Sequence, residues 1–153
     1  AFVAPLKYRA AGADGDDFRA RAYSETLRSN QIQVNPDFFC RHTQSEASLL
    51  EDVVYIMTSY NASERPTAFV ASDDHMAAQV MQCIRKLNLR IPDDIAIVGN
   101  IASSQITTPE LTAIDSGIPD FASEVADALF CMANGETPEN RLYKGRLIIR
   151  GST

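Results

Sequence analysis

Ser72, Asp73, Asp74 and His75 set a hydroxyl, two carboxylates and an imidazole side by side, the residue types of a hydrolytic or metal site. Their spacing argues against both. Consecutive residues on a helix point in different directions, so these side chains do not converge on one substrate atom or one metal ion. His42 is the only other histidine and no glycine-rich phosphate loop is present, so the chain does not read as an enzyme and implies neither metal nor cofactor. Ser72, Asp73 and Asp74 are instead all capping types, whose oxygens take up the exposed N–H groups of a first helical turn. Cys40, Cys83 and Cys131 are odd in number and lack metal-ligand spacing. Unpaired thiols in a reducing cytoplasm are expected, with a secreted protein carrying one disulfide and one leftover thiol as the rival.

The elements that must position these residues follow from periodicity. An apolar strand over residues 1–6 leads through an Ala-, Gly- and Asp-rich loop into a helix over 16–30, with Phe18, Ala22 and Leu27 as its apolar side. Residues 31–41 read as a turn and a strand interrupted by Pro36. Thr43 and Glu46 stand in capping-box register before a helix that buries Leu49, Val53 and Met57. A β-prone run over 67–71 ends at the capping cluster, and Met76, Val80, Ile84 and Leu87 follow at helical spacing. Residues 95–98 have the length and β-branched content of a buried parallel strand. A polar loop over 99–111, a brief strand over 112–114, a helix opened by Pro119 and ended by Gly135, and a last strand over 142–149 complete the chain. Phe121, Val125, Leu129 and Met132 share a face of that last helix, which must be covered by the chain's own sheet or by another copy. Such alternation predicts an α/β fold with a mostly parallel sheet and helices on both faces. Ligands of such sheets gather at the carboxyl ends of strands, here after Pro5, Ala71 and Val98.

A chain of 153 residues can bury roughly 70% of its unfolded surface, enough for one domain with a true core. With 45% hydrophobic and 22% charged residues it is neither disordered nor fibrous in composition. A net charge of -6, with Lys and Arg scattered, would repel a phosphate backbone, so DNA binding by this piece itself is not expected. The apolar runs at 95–98 and 147–149 are too short to span a bilayer, and the N-terminus lacks the pattern of a secretory signal, so no membrane partner is expected.

Several stretches together resemble one family. Pro66-Thr67-Ala68, an apolar strand, a small-or-polar residue and Asp before Met76-Ala77, then Leu89-x-x-Pro92-x-Asp94 and Val98-Gly99, look like the pattern of the lac repressor/galactose repressor family. Thr107-Thr108-Pro109-Glu110-Leu111-Thr112 is similar to its Thr-Thr-Pro-x-Leu-Thr turn, residues 147–153 to its closing strand, and Arg19 with Ala22-Tyr23 to its Arg-x-x-Gly-aromatic helix. The resemblance implies the periplasmic-binding-protein-like (type I) effector-binding part of a bacterial repressor. Residues 1–114 would form the C-terminal subdomain, 117–140 would belong to the other subdomain, 142–153 would be the returning strand, and the helix-turn-helix headpiece would be absent.

It also implies a sugar or sugar-like effector, operator DNA reached only through the headpiece, and a cytoplasmic homodimer. By the same match Arg19 grips the ligand, where a guanidinium fork can serve neighbouring hydroxyls; the bland alternative is a solvated surface arginine. Asp73 faces the ligand or only caps a helix, and His42 stacks on a sugar face or is an exposed loop histidine. After Gly99 relatives carry an aromatic and then acidic residues, whereas this chain has Asn100-Ile101, so Asn100 stands in as the hydrogen-bonding group. Ser116 is a weaker polar candidate near the subdomain crossing. A transport-type periplasmic sugar-binding protein shares the expected fold and is the rival function.

Overall fold

The computed structural model describes residues 1–3, 18–40, 45–100, 108–115, 117–142 and 144–153, with the side chains of 118–120 outside that description. Five strands form one sheet in the order β1 (Phe2–Val3), β2 (Ala68–Ala71), β3 (Ala96–Asn100), β4 (Thr112–Asp115), β5 (Arg146–Ile148). The first four are parallel and β5 runs antiparallel to β4. The expected mostly parallel α/β sheet is therefore present.

Helices α2 (Glu46–Thr58) and α3 (Asp74–Lys86) cover one face of the sheet. Met76, Ala77, Val80, Met81, Cys83 and Ile84 of α3 are all buried, two or three per turn on one stripe, and they meet Leu49, Val53, Ile56 and Met57 of α2 and Phe69, Ile97 and Ala113 of the strands. Each of the larger ones contributes about 1.5–3 kcal/mol by leaving water. On the opposite face α1 (Phe18–Ser29) lays Ala20 and Tyr23 on Phe2, Phe39 and Val70. Tyr23 lies 5.6 Å from both the Phe2 and the Phe39 ring, and this aromatic triple fixes where α1 sits.

Several local expectations change. The buried stripe of α1 is Ala20 and Ser24, whose hydroxyl donates to the Ala20 carbonyl at 2.9 Å, while Phe18 is 69% exposed. The aromatic triple, not the count of apolar residues, sets the rotation of the helix. In place of the strand expected over 31–41, residues 31–40 form none: Pro36–Phe38 is a 3₁₀ turn capped by Asn35, and Phe39 makes one isolated bridge to Phe2. Proline removes the ladder donor there. Ser45 caps α2, reciprocally with Ser48, so the capping box lies two residues beyond the expected start; Thr43 falls outside the described residues. β3 continues through Gly99 to Asn100, paired with β4, so the polar loop begins later than expected. The last strand is confined to Arg146–Ile148.

The last helix, α4 (Ile118–Ala133), is ended by Asn134 and Gly135. Much of its apolar face is open to solvent: Phe121, Val125, Leu129 and Phe130 are exposed, and among the described residues α4 has no contact with a strand or helix comparable to those among β2, β3, β4, α2 and α3. No helix among the described residues is long and apolar enough to cross a membrane.

Candidate functional site

The carboxyl ends of β1, β2 and β3 lie side by side, with Val3 opposite Ala71 and Val70 opposite Val98. Residues just past those pairs, Ser72 directly after β2 and Asn100 at the end of β3, therefore stand at one level on the same rim. Ser72 is buried and joins two elements. Its backbone carbonyl accepts from Arg19 Nη1 of α1 at 3.0 Å, and its hydroxyl donates to Asp73 Oδ2 at 2.9 Å. Asp73 Oδ1 accepts from the Met76 N–H at 2.9 Å, making Asp73 the N-cap of α3.

The capping role of Asp73 is thus structural fact, and it does not use up the carboxylate. Each carboxylate oxygen has two lone-pair sites and each here accepts from one protein donor, so acceptor capacity is left for a ligand hydroxyl. Capping also holds the group in one rotamer and sets its charge against the positive end of α3. Arg19 is half-buried, not a freely solvated arginine: the Ser72 carbonyl takes one of its donors, and its guanidinium carbon lies 5.5 Å from the centre of the Phe18 ring. The result is a guanidinium and a carboxylate tied together through Ser72, with an exposed aromatic ring beside them. That arrangement can donate to and accept from adjacent hydroxyls and offer a flat apolar face to a ring.

Asn100 ends β3, half-buried, with its backbone paired to Ile114. His42 and Ser116 lie outside the described residues. Two groups in this arrangement escape the residue pattern. The sequence places Phe18 on the apolar side of α1, and Ser72 contributes a backbone carbonyl, a group every residue has, so no signal in residue type marks it. A groove of about 470 Å³ lies elsewhere, between α4 and the segment after it, lined by Phe121, Val125, Ala128, Cys131 and Pro138. Its place on the uncovered face of α4 separates it from the rim of the parallel strands.

Burial pushes the Cys83 thiol up to about 11, which keeps it protonated and inert. Cys40 is also buried, Cys131 is half-buried, and none of the three is in a disulfide. Among the described residues no group of three or more His, Cys, Asp or Glu side chains could hold a metal ion.

A family model described as periplasmic binding protein-like domain matches residues 1–153. The chain belongs to that family. Within it, the periplasmic-binding-protein-like domain described here is similar to lac repressor/galactose repressor regulators, as its motifs implied. It is 30% identical over 139 residues to a probable opine utilization operon repressor from Rhizobium rhizogenes, covering 88% of this chain and 69% of that protein. It is 34% identical over 141 residues to the arabinose metabolism transcriptional repressor of Geobacillus stearothermophilus, covering 88% of this chain and 39% of that one. A solved structure of a LacI family transcriptional regulator from Lactobacillus casei with bound sucrose superposes with a TM-score of 0.77 at 19% identity, covering all of this chain and 56% of that one. The domain therefore spans about two thirds of one relative and well under two thirds of the others.

Proposed function

We propose that this domain is the effector-sensing part of a bacterial transcriptional repressor that responds to a sugar or a sugar-like small molecule. The observation that carries the reading is the Arg19–Ser72–Asp73 arrangement at the carboxyl ends of the parallel strands, where α/β sheets take their ligands. The relatives named as repressors of opine and arabinose operons support the regulatory part, and the sucrose in the Lactobacillus casei structure supports the ligand class. In this reading Arg19 donates to ligand hydroxyls, Asp73 accepts from them, Asn100 serves from the neighbouring strand end, and His42 adds a stacking face.

Residues 117–140 belong, in the same reading, to a neighbouring subdomain that covers the exposed face of α4. Operator DNA is bound by a headpiece outside this chain, in a cytoplasmic homodimer. The net charge of -6 fits a sensing part that leaves DNA contact to another segment. Effector binding favours one orientation of the two subdomains, and it shifts that equilibrium only by its differential affinity, about 5–150-fold in typical regulators. The repressor relatives turn the reading away from a transport protein, and no catalytic role is assigned.

Calorimetric titration of the full-length regulator with a panel of sugars, sugar phosphates and purines tests this, followed by operator binding with and without any hit. A ligand that changes operator affinity, and whose effect is lost in Arg19→Ala without loss of folding, is the expected result. Ligand binding with no operator affinity at all, or an unchanged response in Arg19→Ala, overturns the regulator reading or the site respectively.

A further inference from the structure

The chain leaves the sheet at the end of β4 and returns at the start of β5, and among the described residues α4, within this excursion, packs extensively on no other element. Two connections therefore tether this excursion, and they are paired where they part, with Asp115 opposite Arg146. The Asp115 carboxylate touches both. Oδ1 accepts from the Gly117 N–H at 2.9 Å on the outgoing connection, and Oδ2 accepts from Arg146 Nη2 at 3.4 Å on the incoming one.

The neighbouring glycines show how tight this neck is. Gly117 has φ +65, a left-handed turn that sends the chain into α4. At Gly145 a Cβ would fall 2.6 Å from Ile114 Cγ2 and 3.3 Å from the Asp115 carbonyl oxygen, so the two connections are pressed together. The Gly117 N–H, and after it the Arg146 guanidinium, hold the Asp115 carboxyl below the usual carboxylate range, so it is ionised at neutral pH. Arg146 is 78% exposed, and an ion pair of that kind contributes little to global stability. Its position at a two-strand neck gives it a different consequence, because a small bias there acts on orientation.

We propose that Asp115 is a positioning residue: one carboxylate grips the outgoing and incoming connections at once and so holds the α4 excursion in a single orientation relative to the sheet. The consequence for signalling rests on the regulator reading, in which this joint lies between the effector rim and the rest of the molecule. The mechanical claim does not depend on it.

The test is pulsed dipolar spectroscopy on the full chain in a Cys131→Ser background, with spin labels at Gln82→Cys on α3 and Ala126→Cys on α4, both exposed positions. A narrow distance distribution is expected with Asp115 intact. Asp115→Ala should broaden it to about twice the width and speed Gly117 amide exchange about tenfold, the loss expected when one hydrogen bond stops holding a local opening. Asp115→Asn keeps an acceptor for Gly117 and should give normal exchange with intermediate broadening. Arg146→Gln, which changes an exposed side chain and so leaves folding intact, should match that intermediate width. An unchanged width in Asp115→Ala with faster Gly117 exchange would show that the carboxylate only shapes a turn, and would overturn the proposal. So would a distribution already broad with Asp115 present, or, if Asp115→Ala does not fold, no broadening in Arg146→Gln. Operator binding plays no part in these readings, so failure of the regulator reading is distinguishable.

Discussion

At the scale of single residues, side chains in this chain work by serving two partners at once. Asp73 caps α3 and keeps acceptor capacity on the rim, so its two roles can be separated. Asn caps a helix as well as Asp does. Asp73→Asn should therefore leave the denaturation midpoint unchanged while weakening effector affinity about tenfold, because a charged acceptor becomes a neutral one; calorimetry beside urea unfolding reads both. Equal affinity in the two proteins would reduce Asp73 to a cap. Ser152 is buried, and its hydroxyl accepts from the Thr112 N–H at 2.8 Å and donates to the Ile97 carbonyl at 2.6 Å, stitching the closing segment to β3 and β4. Ser152→Ala leaves a buried donor and acceptor without that partner and should cost about 2 kcal/mol in equilibrium unfolding. Neither the Ser72 carbonyl nor this pair of hydrogen bonds at Ser152 is legible in the sequence, since serine in a polar terminal stretch gives no sign of burial.

Among the elements, the loop between α3 and β3 is held by Arg90 and Asp94. The Arg90 Nε donates to Asp94 Oδ2 and Nη2 to Oδ1, each at 3.0 Å, and the Arg90 backbone N–H adds a third donor at 2.8 Å. The Arg90 guanidinium first, then its N–H, hold Asp94 down to about 2. A depressed folded value means that the contribution to stability is fully present above the ordinary carboxylate range near pH 4 and is lost as pH falls through about 2. Carbon-detected NMR titration should place the Asp94 midpoint near that value, and Arg90→Ala should return it toward the ordinary range. The helices and parallel strands were legible in outline because apolar spacing repeats over many residues, as in Met76, Val80 and Ile84. What failed was local: Pro36 turned an expected strand into a 3₁₀ turn, and the cap of α2 moved to Ser45. Several residue types compete for each such position, and backbone geometry chooses among them.

For the molecule as a whole, the uncovered face of α4 is the dominant fact. Leu129 is 61% and Phe130 73% exposed, beside Phe121, Val125 and Met132. Adjacent apolar side chains on this scale drive association in water. The isolated 153-residue chain should therefore sediment above monomer mass at tens of micromolar, and Leu129→Glu with Phe130→Glu should return it to monomer. A chain monomeric at every concentration would mean that α4 folds back onto its own sheet in solution.

The amino-acid sequence by itself determined the α/β class, the buried stripes of α2 and α3, the capping cluster at Ser72–Asp74 and the family, because each is written in residue type and short spacing. The tertiary structure decided the rest. It decided that Arg19 meets Ser72 across 53 residues of chain, that Phe18 faces outward beside it, that Asp115 meets Arg146, and that α4 stands off the sheet. Each of these depends on how elements distant in sequence rotate and dock to bury a shared surface. No local pattern encodes such an outcome, since it is settled by the free energy of the packed whole.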